Sequence, residues 1–436
     1  MRLSCLGGAR EVGRSAFLID DLLVDYGMKT GNPPEFPLSR ADPEEVVISH
    51  GHLDHVGALP TLMHDYPSVH QTPPTRNLSE LLANDTLKIA QRSGSYRAPF
   101  SREDVSRLSE VSRLHGYGDR EGFEAAGFDC DFHHAGHIPG SASVRIDDGE
   151  TRLLYTGDIN TTQTRLLEAA SPPPPADALM IESTYFNYEH EDREKVEEEF
   201  VRSVRETLHQ GGDVLIPVFA IGRTQEILMV LAENDIPCYV DGMGCDVTTI
   251  LREHPDYVRD PEALKRAWNH ARKVDPSKRD RVLGNGAAVV TTSGMLTGGP
   301  AMYYIKGLFD NPANKICLTG YQVEGTPGRR ALDSSRAEID GKILPISAQV
   351  ELHDFSAHAD GDGTKSSDFV SQREQSSRDG LKSYVEKAVE NGVEEVLCVH
   401  GDEDDCVAFA EWVREDIGVE AHAPKLGEKV EIGKIR

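Results

Sequence analysis

Short apolar runs separated by glycine-rich turns open the chain. Leu3–Leu6, Ala16–Ile19 and Leu22–Asp25 read as strands closed by Gly7-Gly8, Gly13 and Gly27. Val46–Ser49 is an apolar run of buried-strand length, and Val56–His64 reads as the start of the following helix. From about Pro67 to Asp131 the pattern is polar, helix-prone and loop-rich. Two more strand-to-loop junctions follow, at His133–His137 and Leu153–Asp158; Pro172–Pro175 makes a stiff spacer before the strand Met180–Tyr185. From Tyr188 the elements lengthen and alternate: helix 189–209, strand 214–217, helix 223–233, strand 238–240, then strands 288–291 and 315–319. Such alternation predicts βαβ units and a parallel sheet. The last hundred residues return to hairpin patterning, followed by a helix over Ser383–Asn391, a strand over Val396–His400 and a helix over Ala408–Asp416. The predicted plan is a host domain over 1–187, an inserted domain over 188–342 and a return to the host over 343–436.

At 436 residues the chain is too long for one ordinary core, which agrees with two domains. No run approaches the roughly eighteen apolar residues of a membrane helix, and the amino terminus has no secretory pattern, so a cytoplasmic protein without a membrane partner is expected. The seven cysteines contain no CxxC pair and sit mostly in apolar strands, as buried free thiols do. The net charge of −27 opposes broad electrostatic binding of nucleic acid. Its acidic residues are dispersed, however, and Arg outnumbers Lys by about two to one, a balance suited to halophilic solubility. Substrate contacts would then be local.

The chemistry concentrates in His50-Gly51-His52-Leu53-Asp54-His55, directly after the Val46–Ser49 strand. Imidazole and carboxylate are ligands for a borderline cation, and the spacing lets His50 and His52 face one ion while Asp54 and His55 face a second roughly 3.5–4 Å away. Later junctions supply complements. His137 would complete the first ion, Asp158 would bridge both through its two oxygens, and His400 would complete the second. Asp25, at a strand end, is placed behind the ligands to orient an imidazole. His133, His134 and His353 are ligands by type, but their neighbours give no reason to prefer them.

Taken in order, His50–His55, His137, Asp158, Glu182-Ser183-Thr184-Tyr185, Ser356-Ala357-His358-Ala359-Asp360 and His400 resemble the metallo-β-lactamase fold carrying a β-CASP domain, a nuclease family. Leu6–Ser15, Pro217–Glu226, Thr292–Leu296 and Gly320–Gly325 are similar to the endonuclease of the cleavage and polyadenylation specificity factor and its archaeal relatives, with RNase J more distant. The resemblance implies an α/β protein: an αββα sandwich with an inserted parallel-sheet β-CASP domain and an active site between domains. It gives Glu182 to the acidic motif, His358 to the β-CASP histidine and His400 to the last metal ligand, with Asp54 joining Glu182 and His358 among the catalytic groups. The metal fold begins at Met1 with no KH domains ahead of it, so little independent recognition of RNA sequence is expected.

The implied reaction is hydrolysis of single-stranded RNA to 5′-phosphate and 3′-hydroxyl ends, in mRNA 3′-end processing or decay. Two Zn²⁺, with Mn²⁺ admitted, would activate a water, and His358, oriented by Glu182, would protonate the leaving oxygen. For substrate grip, Arg223 opens a helix, Ser293-Gly294 follows a strand as an amide nest, and Tyr321 offers a ring for a base. A homodimer is also implied. A 5′-to-3′ exoribonuclease, a DNA-repair nuclease, a small-molecule hydrolase and a non-catalytic subunit are the competing readings; the second lobe argues against a small substrate, and the filled ligand positions against the inactive subunit.

Overall fold

The computed structural model describes residues 1–433 apart from 32, 94–95, 119–121, 285, 340 and 362–379. Contacts divide it into two compact units. The first comprises residues 1–163, 169–189 and 358–436, and the second comprises 164–168 and 190–357.

In the first unit two seven-stranded sheets face each other. One runs, in spatial order, Lys429–Glu431, Arg2–Gly7, Ala16–Ile19, Leu22–Val24, Glu45–Val47, Ser68–Gln71, Ser112–Leu114; the other runs Glu420–His422, Glu395–Val399, Ala178–Glu182, Arg152–Tyr155, Ala142–Asp147, Phe128–His134, Phe123–Ala125. Side-chain alternation decides which layer each residue fills. Ala178 and Met180 join Leu3, Phe17, Val47 and Tyr155 between the sheets. Their neighbours Leu179 and Ile181 point the other way, onto Leu381, Val385 and Phe409 of the helices behind. On the opposite flank Val46 and Ile48 pack outward with Leu59, Val69 and Leu108. Both faces of the central strands are therefore dry, which is why they read as unbroken apolar runs. The result is the αββα sandwich.

The Pro67–Asp131 region is more ordered than its polar pattern predicts. It holds a 21-residue helix, Pro73–Ser93, and strands that finish the margins of both sheets. Marginal strands such as Ser112–Leu114 are half-solvated and need no apolar run, so the pattern is silent there.

The second unit is built on a six-stranded sheet in the order Arg272–Lys273, Cys238–Asp241, Ala288–Thr291, Val214–Pro217, Lys315–Leu318, Gln349–Leu352, with every pairing parallel. It runs on to Ala357, past the expected return at 343, because the edge strand Gln349–Leu352 pairs with Lys315–Leu318. That strand is largely exposed and carries no apolar signature. The short segment Thr164–Glu168 also belongs here: the buried Glu226 carboxylate accepts the backbone N–H groups of Arg165 and Leu166, each at 3.0 Å.

Candidate metal centre

All seven expected ligands lie in the first unit and converge at the carboxyl ends of its strands. His50 follows the Glu45–Val47 strand, while Asp54 and His55 sit in the single turn Leu53–Val56. Gly27 makes room for that turn, since a Cβ there would stand 1.6 Å from the Asp54 carbonyl oxygen. His137 lies in the turn after Phe128–His134, Asp158 after Arg152–Tyr155, and His400 after Glu395–Val399.

They form two groups. The facing ligand atoms of His50, His52, His137 and Asp158 lie within 4.8 Å of one another, as do those of Asp54, His55 and His400. Asp158 stands between the groups. Its Oδ2 faces His50 Nε2 at 3.6 Å and His137 Nε2 at 3.7 Å; its Oδ1 faces His55 Nε2 at 3.3 Å and His400 Nε2 at 3.5 Å. His50, His55, His137, Asp158 and His400 are buried, while His52 and Asp54 are half-buried. His50 Nε2, His55 Nε2 and Asp158 Oδ1 are all shut away from solvent without a hydrogen-bond partner, and His137 Nε2 lies 3.0 Å from His52 Nδ1. Buried nitrogens left in that state are costly unless a cation lies among them. Burial also drives the His50 imidazole well down and His52 to about 4, so both present lone pairs at neutral pH.

Behind the ligands lies an orienting layer. Asp25 is fully buried; its Oδ2 accepts from His55 Nδ1 (2.7 Å), Ser49 Oγ (2.7 Å) and Tyr155 Oη (2.8 Å), and its Oδ1 accepts the Ser49 N–H (2.8 Å). Holding the proton on His55 Nδ1 turns its Nε2 toward Asp158. His400 is held likewise. Its Nδ1 lies 2.8 Å from Ser15 Oγ, its N–H donates to Gly8 at 2.7 Å, and its carbonyl accepts from Ser183 N (3.1 Å) and Thr184 Oγ1 (3.1 Å). Sequence reasoning found Asp25 and missed Ser15, Ser49 and Tyr155. Hydroxyls at strand ends are too common for type alone to single them out.

His358 stands beside this centre, its Nε2 4.0 Å from Asp158 Oδ2. Its Nδ1 donates to Glu182, 3.1 and 3.0 Å from the two oxygens. Burial alone would lower the imidazole, yet the adjoining Glu182 charge, with Asp158 and Asp54, raises it to about 9. Glu182 Oε1 also accepts the Ile159 N–H at 2.7 Å, tying the carboxylate to the turn that carries Asp158.

The histidines set aside earlier have other tasks. His133 pairs with Asp131, and His134 Nδ1 contacts the Ala169 carbonyl at 3.3 Å. His353 sits with Cys317 and Glu351, but Lys315 Nζ, 2.7 Å from Glu351 Oε1, already supplies the positive charge in that cluster.

In the second unit the expected RNA contacts divide. Arg223 begins the helix Arg223–Glu233 but is buried, its guanidinium 6.0 Å over the Phe355 ring and close to Asp354 and Glu226. Ser293 Oγ accepts the Thr297 N–H at 3.0 Å, Gly294 is buried beside Phe219, and Tyr321 is exposed.

Three family models match the chain: the metallo-beta-lactamase superfamily over residues 9–196, the Beta-Casp domain over 224–331, and the Zn-dependent metallo-hydrolase RNA specificity domain over 375–424. "Probable RNase MJ4" of Methanocaldococcus jannaschii is 35% identical across 99% of this chain and 100% of its own length. "RNase aCSPSF2" of Saccharolobus solfataricus is 34% identical across 99% of this chain and 85% of its own. "Transcription termination factor FttA" of M. jannaschii is 35% identical across 97% of this chain and 70% of its own. Among solved structures, a protein of unknown function from Enterococcus faecalis V583 shares the fold with a TM-score of 0.55 at 13% identity, covering 98% of this chain and 99% of its own.

Proposed function

The chain belongs to the metallo-β-lactamase superfamily in its β-CASP form, and on that footing we propose that it is a metal-dependent ribonuclease that hydrolyses phosphodiester bonds within single-stranded RNA. The observation that carries this reading is Asp158, whose two oxygens are divided between two imidazole groups, beside a histidine held by its own carboxylate. His50, His52 and His137 on one side, Asp54, His55 and His400 on the other, and Asp158 between them would hold two divalent cations. Five imidazoles and two carboxylates suit Zn²⁺ and admit Mn²⁺. Such a pair supplies Lewis acidity at a phosphoryl oxygen and a water acidic enough to ionise near neutral pH.

The chain's own groups do the rest. Glu182 fixes the Nδ1–H tautomer of His358 and favours its charged form, leaving Nε2 to protonate the departing ribose oxygen. The products would carry 5′-phosphate and 3′-hydroxyl ends. Ser293, Gly294 and Tyr321 are read as RNA contacts, while buried Arg223 is read as a brace. An RNase name on two relatives and the RNA specificity match support this choice of polymer. Incubating the protein with 5′-labelled single-stranded RNA, matched DNA and a generic thioester tests it. Internal RNA fragments are expected; mononucleotides released only from the 5′ end would move the assignment to an exonuclease, and thioester turnover without RNA cleavage would overturn it.

Ser15→Ala removes the hydroxyl behind His400 Nδ1. It is expected to weaken binding of one of the two cations by about 10–100-fold. Metal content at limiting Zn²⁺ checks this: near one equivalent is expected, and two equivalents would remove Ser15 from any such role.

A cytoplasmic location, a homodimer and adaptation to concentrated salt extend the same reading. Among the described residues no helix is long and apolar enough to cross a membrane. With a net charge of −27, self-repulsion falls as salt screens it, so the thermal midpoint should rise with KCl concentration. Highest stability in dilute buffer would refute the adaptation.

A further inference from the structure

The carboxyl ends of the second unit's parallel strands carry an aromatic surface that neither the metal chemistry nor the packing of that unit accounts for. Val214–Pro217 lies between Ala288–Thr291 and Lys315–Leu318 in the sheet, and all three run the same way. Their outgoing loops therefore emerge side by side, bringing Phe219, Ser293-Gly294 and Gly320-Tyr321 onto one edge.

Loops of this kind are ordinarily polar, yet Phe219 is 38% exposed, Tyr321 49% and Val323 42%. Phe219 lies against two glycines at one edge of its ring. A Cβ built on Gly294 would stand 3.4 Å from its ring, and one on Gly320 likewise 3.4 Å. The Cδ2–Cε2 edge of the ring thus rests against bare backbone, while the residue stays partly exposed. The loops themselves are held stiffly. Gln322, only 3% exposed, donates through Nε2 to the Gly294 carbonyl at 3.2 Å and the Gly320 carbonyl at 2.8 Å, and the Gly328 N–H bonds the Met295 carbonyl at 2.9 Å. An exposed ring on a rigid support loses little entropy when a flat partner covers it.

Charge points to the partner. The helix Pro327–Ser334 that follows Tyr321 is capped by Thr326 and carries Arg329 and Arg330 in its first turn; Arg329 Nε donates to Asp333 Oδ2 at 2.8 Å, and its guanidinium lies within electrostatic reach of Tyr321 and Glu324. Rings beside guanidinium groups and helix-start amides match an alternation of bases and phosphates. The overall charge makes the rings matter more. A chain at −27 gains little from counterion release, and that gain shrinks further in concentrated salt, whereas stacking is nearly indifferent to salt.

We infer that Phe219 and Tyr321 form a stacking platform that holds successive bases of single-stranded RNA, Phe219 being the residue not signalled by sequence. The inference rests on the ribonuclease reading. Tyr321 alone was an expected contact; the structure adds the second ring, the glycine backbone at its edge and the clamp that makes the pair rigid.

Anisotropy of a short fluorescent oligoadenylate, bound to full-length metal-loaded protein in a His358→Ala background, tests this in dilute and concentrated KCl. Phe219→Ala and Tyr321→Ala should each weaken binding by about 5–100-fold at both salt levels, while Phe219→Trp should retain it. An oligonucleotide whose bases are removed should bind parent and variants alike. Thermal midpoints identify any variant that has merely unfolded, and the Trp variant then stands as the reporter. Unchanged binding in both alanine variants would overturn the platform, as would an equal loss on the abasic strand. Loss accompanied by conversion of a dimer to monomers in sedimentation would assign the rings to a second copy of the chain. If the parent cuts RNA and the variants bind normally, only the platform fails; if the parent neither binds nor cuts RNA, the ribonuclease reading has failed first.

Discussion

Asp158→Asn is expected to lower RNA cleavage by roughly a thousandfold or more, the largest loss from any single substitution in this chain. Lewis-acid stabilisation by bound cations is worth several kcal/mol, and each 1.4 kcal/mol is about tenfold in rate. Asparagine keeps the volume and one acceptor oxygen but loses the charge and the second oxygen. It cannot face both His50 and His137 on one side and His55 and His400 on the other, as Asp158 does at 3.3–3.7 Å. Burial by itself would raise the Asp158 carboxyl, but the imidazoles around it, His400 first and then His55, outweigh it and hold the group well below the usual range, so it is ionised wherever the enzyme would work. Elemental analysis should show fewer than two equivalents of metal, with circular dichroism unchanged. Full metal content and full activity in this variant would dismantle the dinuclear centre.

His358→Ala should cost about 10²–10⁴-fold in RNA cleavage while leaving metal content intact, since His358 is read as a proton donor and not a ligand. The loss should depend on the leaving group. A nucleotide p-nitrophenyl ester departs without needing a proton, so the variant should hydrolyse it nearly as well as the parent. An equal loss on both substrates would instead make His358 a binding or structural residue. The pH profile adds an independent check. An acid must be protonated to act, so activity falls as pH rises through the imidazolium pKa, which the Glu182 charge and its neighbours hold at about 9 against the effect of burial. Bound cations repel the imidazolium and bring that alkaline limb lower. Glu182→Gln removes the largest favourable charge and should move the limb to still lower pH. A limb that stays in place would separate Glu182 from the proton transfer.

Legibility in the sequence followed burial. The central strands of the sandwich, such as Ala178–Glu182 and Glu395–Val399, are dry on both faces, and each shows as an apolar run ending in a polar group. Candidate ligands at such junctions stood out because the run states where the strand stops. Edge strands left no such mark, so Ser112–Leu114 and Gln349–Leu352 went unread, and with them the extent of the second unit. Arg223 was legible as the start of a helix but not as a buried group, because its companions Phe355 and Asp354 lie more than a hundred residues away in the chain.

By itself the sequence named the candidate ligands and gave the alternating character of the inserted domain. These depend on residue type and on local periodicity, both of which are written along the chain. Only the tertiary structure decided that Ser15 stands behind His400 and Tyr155 behind Asp25, and that Phe219 and Tyr321 share one edge. Each of those facts is a distance between residues far apart in sequence, set by how sheets stack and how parallel strands are ordered, and no local pattern encodes it.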